Sequence, residues 1–560
     1  MKKYSKYYKK ALTNEYLCDI ICNVVEIDEV NDIVKICKTN IIKKIFIFTM
    51  LIAMMLSMVS CSGAKNDEPK VKIIDIKLTD EEYAFLIQKG NISLVESINA
   101  FMAEIKADGT FNSLVSKYFE GKGDKNGYPV STGDVENTEN NFIVVTNCPF
   151  EPFEYMGADG KIYGLDIEIA AAYAEKMGLE LVIKNIDFEA IFTQVEAGYA
   201  DIGMAGITIS EGRKAIFDFT TPYYQASQKL IVAYDNTDFD NCKTALDVED
   251  VFSSLENKKI GYQISTTGEL YINGNEDWGF EGFSNIRGAS YPTAQLAVTD
   301  LINGNLYAVV VDEAPGNMII ESMNANSTWK AKFVNFFSTI SNKHYLNVFV
   351  RGLGNTIGIA VVGLVIGILI GTIIAIVRIA PKYKLIYKIL DKICSIYVTI
   401  FRGTPIVAQL LIAYYVIIPS LNVKIGAIPV GMIVFGMNSG AYVSEIMRGG
   451  INSVDKGQME AGRALGMTYS STMIKIVVPQ AIKNILPTLG NEFISLIKET
   501  SVLSFIAVYD LYKSLLEVGM VNYDSMVPYL MMGLIYIVLV LIISLGVKLF
   551  ERRFAKSDRH

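Results

Sequence analysis

Histidine is almost missing from this chain of 560 residues, which has only His344 and His560. Both lie in charged flanking segments, so imidazole acid–base catalysis and histidine-rich metal sites have little to draw on. Cysteine is sparse too: Cys18, Cys22, Cys37, Cys61, Cys148, Cys242 and Cys394, with no CxxC pair. Cys18 and Cys22 form a CxxxC without a second pair or a histidine nearby, which points to buried or incidental thiols and no metal. No GxxxxGK[ST] phosphate loop occurs, so any ATP-driven step needs a separate chain. No basic stripe occurs either, and a formal net charge of −8 argues against a nucleic-acid partner. No cofactor is expected.

What the chain does have is apolar residues, unevenly placed. Of its residues 51% are hydrophobic and 20% charged. From about Val71 to Lys343 it reads as an ordinary soluble protein; from Gly352 onward, long uncharged runs dominate. That contrast predicts one soluble and one membrane domain.

Before the soluble part, residues 1–61 read as a leader ending in a signal-like segment. Lys43 and Lys44 precede an apolar run of about 15 residues, Ile45 to Val59, short for a spanning helix but suited to a signal-peptide core. Met58-Val59-Ser60-Cys61 resembles a lipoprotein lipobox, with methionine where leucine is usual, and makes Cys61 a lipidation candidate. An uncleaved anchor with Cys61 unmodified is the alternative. In either case Ser62 onward emerges outside. The residues ahead of Lys43 are a cytoplasmic leader or precede the true start; both readings stay open.

Residues 142–227 alternate strand-like and helix-like patterns. Strands are expected at 142–146, 179–183 and 201–205, with helices at 165–178 and 188–196. This order implies a parallel α/β sheet, whose ligands bind where loops leave the carboxyl ends of strands. Those loops carry zwitterion chemistry. Phe150 follows the first strand and Phe188 the second, and Arg213, whose guanidinium fork matches a carboxylate, follows the third. Asp312 ends a later strand, Val309-Val-Val-Asp312, and is a natural partner for an α-ammonium.

Together, Phe150-Glu-Pro-Phe-Glu-Tyr155, Gly164-Leu-Asp166, Gly206-Ile-Thr-Ile-Ser-Glu-Gly-Arg213, Ile260-Gly-Tyr-Gln-Ile-Ser-Thr-Thr267 and Val311-Asp312 resemble the polar amino-acid-binding proteins of ABC importers. The resemblance implies a two-lobed α/β, periplasmic-binding-protein-like domain over residues 66–340. It implies that Phe150 and Phe188 flank the substrate side chain and that the Gly206 carbonyl faces the amine. Thr208, Arg213 and the Thr266-Thr267 loop would hold the carboxylate, and Asp312 the ammonium. Asn147 stands where relatives for basic substrates often carry an acid, which favours a glutamine-like polar amino acid.

The order of the chain departs from that family. Its usual closing segment after the Asp-Glu-Ala-Pro element is missing there, whereas residues 71–120, with the Ala107-Asp-Gly-Thr110 turn, resemble it. A circular permutation is therefore expected, joined by a polar linker over 121–141. A degraded second copy of the domain is the alternative.

Residues 345–560 read as an all-α membrane permease with about five transmembrane helices. Spans are expected near 352–377, 400–418, 425–443, 488–508 and 528–547, with basic residues from Arg378 to Lys392 marking the cytoplasmic side. Glu492, Lys498 and Glu499 interrupt the fourth and should face the bundle. Residues 458–480, with Glu460-Ala461-Gly462, Gly466 and Pro479, resemble the EAA loop of ABC importer permeases. Phe401-Arg-Gly-Thr-Pro405, Arg448-Gly-Gly450 and Lys498-Glu-Thr-Ser501 add to the likeness. It implies a separate ABC ATPase as partner, a permease homodimer and a place in the cytoplasmic membrane, with the binding domain outside.

Two other classes compete. A flytrap-gated channel or receptor lacks a TVGYG-like filter and a signalling tail here. An enzyme on the same scaffold would use Glu154 and Asp312 as its acid–base pair, but ligand hydrogen bonding is the better reading of both.

Overall fold

The computed structural model describes residues 69–131, 135, 138–325, 329–381, 383–421, 423 and 425–556. The apolar run 45–59, Cys18, Cys22, Cys37, Cys61 and His560 lie outside the described residues. Residues 66–560 form one unit.

The soluble part opens with β1 (Val71–Ile74), β2 (Glu81–Tyr83) and β3 (Leu86–Gln88), followed by α1 (Ile92–Ala107) and α2 (Thr110–Phe119). Asn91 caps α1 by accepting from the Leu94 N–H, a favoured use of asparagine at a helix start. Then come β4 (Tyr128–Pro129), β5 (Asn141–Thr146), β6 (Tyr155–Met156), β7 (Lys161–Tyr163) and α3 (Leu165–Met177). The same lobe continues through β8 (Glu180–Asn185), α4 (Phe188–Glu196), β9 (Ile202–Gly203), α5 (Glu211–Ile216) and β10 (Phe217–Phe219). The chain crosses through β11 (Tyr224–Ala226) into β12 (Gln228–Ala233), α6 (Ala245–Ser254), β13 (Lys259–Gln263) and α7 (Thr267–Asn273). Finally β14 (Arg287–Tyr291), α8 (Ala294–Ile302), β15 (Ala308–Asp312) and α9 (Glu313–Ala325) complete the second lobe.

Lobe 1 is built on a sheet in the order β10-β3-β9-β5-β8, and lobe 2 on β1-β12-β15-β13-β14. Between them β2 pairs antiparallel with β11, so the chain passes twice from lobe to lobe through one ribbon. The all-apolar run of β5, with Ile143, Val144 and Val145 fully buried, befits a strand covered on both faces. The stretch 71–119 is woven into both lobes. β3 lies between β9 and β10, and β1 pairs with β12. Phe101, Met102, Phe111 and Tyr118 of α1 and α2 pack into the lobe 1 core. The polar connection 121–141 is anchored part-way along, where Tyr128–Pro129 pairs with β7 and Val130 bridges Ile183.

The membrane part follows α10 (Trp329–Ile340). It comprises α11 (Lys343–Ile379), α12 (Leu385–Gly403), α13 (Ile406–Ser420), α14 (Ala427–Asn452), α15 (Lys456–Ala464), α16 (Tyr469–Thr472), α17 (Val478–Glu499), α18 (Leu511–Val521) and α19 (Met526–Lys556). Among the described residues three helices, α11, α14 and α19, are long and apolar enough to cross a membrane, four if α12 and α13 count as one bent span. The expected single span 400–418 is thus broken: α12 and α13 meet at 108°, because Pro405 cannot continue the preceding helix. The expected span 488–508 falls on α17 and a 3-10 stretch, Thr500–Ile506. The polar residues of α17, among them Gln480, Asn484, Asn491 and Glu492, leave it less apolar than the spanning helices. Ser439 of α14 donates to Glu492 at 2.9 Å, so this acid faces the bundle.

Small residues let α11 and α14 approach closely. A Cβ on Gly367 would lie 2.7 Å from the Ser439 Cβ, and one on Gly440 would lie 2.8 Å from Ile370.

Candidate functional site

Three loops from lobe 1 and two from lobe 2 line a narrow cavity of about 20 Å³. Asn147, Phe150, Phe188, Gly206, Thr208, Arg213, Thr266, Thr267 and Asp312, all singled out from the sequence, line it together with Glu154, Ala205 and Gln263. The strand ends explain the convergence. β5 delivers Asn147, β8 leads to Phe188 at the start of α4, β9 leads to Ala205 and Gly206, β13 delivers Gln263, and β15 ends at Asp312.

Gly206 has φ +53°, and a Cβ there would sit 2.4 Å from the Phe150 ring. Glycine is required on both counts. Arg213, on α5, donates to the Thr208 carbonyl at 2.6 Å and to the Ser265 carbonyl of lobe 2 at 2.8 Å. Its guanidinium also lies 5.1 Å from the Phe192 ring centre. Burial lowers its pKa to about 10, opposed by the charges of Glu81 and Asp312. Thr208 donates to Glu81 at 2.8 Å, and Thr267 lies 3.4 Å from the Thr208 hydroxyl.

At Asp312, Oδ1 accepts from Tyr83 at 2.5 Å and from Gln228 at 2.9 Å. Burial, then the neighbouring Glu81, pushes the Asp312 carboxyl up to about 7, against these hydrogen bonds. Gln263 reaches the Asn147 side-chain oxygen at 3.4 Å, and Asn147 donates to the Ile186 carbonyl at 2.7 Å. Glu154 is fully buried, and among the described residues neither carboxylate oxygen has a hydrogen-bond partner. Burial, then Asp166, raises its pKa far above the usual carboxylate range.

The cleft is closed. Besides the Arg213–Ser265 bond, the Ser265 hydroxyl donates to Glu189 at 3.1 Å. Sequence reasoning missed Glu81 and Tyr83. Their strand alternates buried, exposed, buried, a two-residue period that marks one face of β2 as interior.

In the membrane part, α15 and α16 make a helix–turn–helix around Gly466, whose φ is +84°. Gly462 is buried, and a Cβ there would meet Thr472 at 2.4 Å. Glu460 and Ala461 are exposed on α15, Leu465 is 82% exposed at the turn, and Pro479 sits in the first turn of α17. The soluble part rests on the membrane part mainly through lobe 1, with Tyr523 also packed against the lobe 2 core. Lys513 of α18 pairs with Asp187 at 2.8 Å, and Gln194 donates to Tyr415 at 3.2 Å. Tyr199 donates to the Tyr414 carbonyl at 3.1 Å and stacks on its ring, and Tyr345 donates to the Gly157 carbonyl at 2.7 Å.

A two-lobed cleft is thus carried on a bundle of helices of which several are long and apolar enough to cross a membrane. Residues 142–458 match the bacterial extracellular solute-binding proteins, family 3, and residues 363–556 match the binding-protein-dependent transport system inner membrane component. The arginine transport system permease protein of Bacillus subtilis (strain 168) is 41% identical over 166 residues, 30% of this chain and 76% of that protein. The putative glutamine transport system permease protein of Rickettsia typhi (strain ATCC VR-144 / Wilmington) is 42% identical over 159 residues, 28% of this chain and 73% of that protein. A solved structure described as an amino acid ABC transporter with histidines shares 38% identity, covering 39% of this chain and 98% of that one, with a TM-score of 0.36. The chain belongs to the amino-acid ABC transporters of the inner membrane, with solute-binding domain and permease in one polypeptide.

Proposed function

We propose that the chain captures a polar L-amino acid outside the cytoplasm and imports it, driven by a separate ATPase that docks on the 458–480 element of a paired permease. One observation carries this reading: Arg213 of lobe 1 and Asp312 of lobe 2 line the same cavity. A zwitterion there satisfies a guanidinium from one lobe and a carboxylate from the other, so its binding favours the closed cleft. Calorimetric titration of the full chain with individual L-amino acids tests it. Binding that survives both Arg213→Met and Asp312→Asn refutes it.

A glutamine-like substrate is supported by the amides of Asn147 and Gln263 at the cavity wall. A second reading, a cationic side chain such as that of arginine, is favoured by the unpaired carboxylate of Glu154. Glu154→Gln separates the two: glutamine affinity changes little, whereas arginine affinity falls steeply.

We further infer that the binding domain is circularly permuted, with 71–120 as its closing segment. The interior position of β3 in the lobe 1 sheet, between β10 and β9, supports this. A fragment covering 141–340 that folds and binds as well as 66–340 would refute it.

A further inference from the structure

The first turn of α4 carries three consecutive side chains with three different partners. Asp187 pairs with Lys513 of the permease. Phe188 lines the ligand cavity. Glu189 accepts from Ser265 of lobe 2, on the loop whose carbonyl also receives Arg213. Permease, ligand and closed lobe 2 thus meet on three adjacent residues.

The permease side of this junction is buried and capped. Lys513 is 2% exposed, and its backbone N–H is held by the capping carboxylate of Asp510 at 2.9 Å. The helix that bears it, α18, buries Leu511, Leu515 and Val518 against Tyr345 of α11 and Val527 of α19. Lys513 thus links the start of α4 to a helix packed on two of the long apolar helices, α11 and α19. Two contacts further along lobe 1, Gln194 with Tyr415 and Tyr199 with Tyr414, land on the π-helical stretch of α13, a kind of irregularity that recurs at functional sites. The described hydrogen bonds and ion pairs from α13 and α18 to the binding domain all go to lobe 1. These polar contacts fix lobe 1, while lobe 2 meets the membrane part through the packing of Tyr523 on its core.

We propose that Lys513 is a positioning residue for transport: through Asp187 it registers the position of α4 when lobe 2 and ligand close on that helix, and passes it to α11 and α19. This rests on the reading of the chain as a substrate-driven importer. It names a two-state element, the open or closed cleft, and the contact by which the permease is biased by it. Neither Lys513 nor Asp187 lines the cavity, so substrate capture and its consequence are separable.

The full chain, reconstituted in nanodiscs with its partner ATPase, is tested with saturating L-glutamine and, separately, L-arginine. Affinity is measured by calorimetry and coupling by amino-acid-stimulated ATP hydrolysis. Lys513→Met is expected to hold Kd within about threefold while stimulation falls about tenfold or more, the signature of lost coupling without lost binding. Asp187→Asn, at a half-exposed side chain, should do the same and carries the test if Lys513→Met does not fold. The charge swap Asp187→Lys with Lys513→Asp should restore about half of the stimulation, as a pairwise interaction demands. Stimulation within about twofold of the unaltered chain in the single variants overturns the proposal, as does a swap that restores nothing. Failure of the unaltered chain to bind either amino acid refutes the importer reading itself, and the proposal with it.

Discussion

The hydroxyl of Tyr83 lies 2.5 Å from Oδ1 of Asp312, although the two residues are 229 positions apart in the chain. Tyr83 stands on the ribbon between the lobes and Asp312 at the end of the lobe 2 strand β15. The tyrosine therefore fixes the carboxylate that faces the cavity from the moving side.

Tyr83→Phe should weaken amino-acid capture without unfolding the domain, because the ring stays packed against Phe150 and Phe153. A hydrogen bond to a charged group is worth about 1.5–3 kcal/mol, so Kd should rise at least about tenfold. Isothermal calorimetry on the full chain reads this directly; an unchanged Kd would remove Tyr83 from the site.

Capture should also depend on pH. In the ligand-free site burial lifts the Asp312 carboxyl to about 7. An ammonium requires the ionised form, so below that value a proton must first leave. Affinity is then full above pH 7 and falls as the pH drops through it, by about tenfold between pH 8 and pH 6. Asp312→Asn should lower affinity throughout and flatten the profile. A profile of the unaltered chain that is already flat would contradict the assignment.

Gly466 joins α15 to α16 with a left-handed backbone and open space where a Cβ would go. The strain of any other residue there is conformational, about 1–2 kcal/mol for an ordinary side chain. Gly466→Asn should retain most co-purification of the ATPase, since asparagine tolerates this conformation, while Gly466→Val should lose it. Equal recovery with both variants would separate the turn from docking.

Gly367 and Gly358 make an internal control on one helix. A side chain at Gly367 meets Ser439 of α14, whereas nothing lies within 4 Å of a Cβ at Gly358. Gly367→Val should overpack the α11–α14 contact at a cost of about 1–3 kcal/mol and lower the thermal unfolding midpoint in detergent. Gly358→Val should leave it nearly unchanged.

Much of lobe 1 was legible because its elements are local. The helix expected over 188–196 is α4, and the strand expected over 142–146 is β5 with one residue more. Glycine stops and runs of apolar residues determine such elements within a few positions. Phe150, Phe188, Arg213 and Asp312 could be named from the loops and ends of strands that could be read, whereas Asn147, Gly206, Thr208, Thr266 and Thr267 came from the resemblance to the binding-protein family. Glu81 and Tyr83 could not be named, since their partners Thr208, Gln228 and Asp312 lie more than 120 residues away. In the membrane part hydropathy located α11, α14 and α19, but it does not register direction. The bend at Pro405 is a local backbone effect and the polar face of α17 turned on packing; a sliding hydropathy window sees neither.

The position of β3 bears on how the molecule is made. Leu86 and Ile87 are fully buried in the finished sheet, yet their neighbours on either side, residues 202–203 and 217–219, are synthesised long after them. A chain that emerges from its amino end first must therefore keep these two apolar residues waiting outside the cell membrane until the lobe's last strand has been exported. β5 and β8 can pair beforehand, but β3 gains its two neighbours only after β9 and then β10 have followed it out.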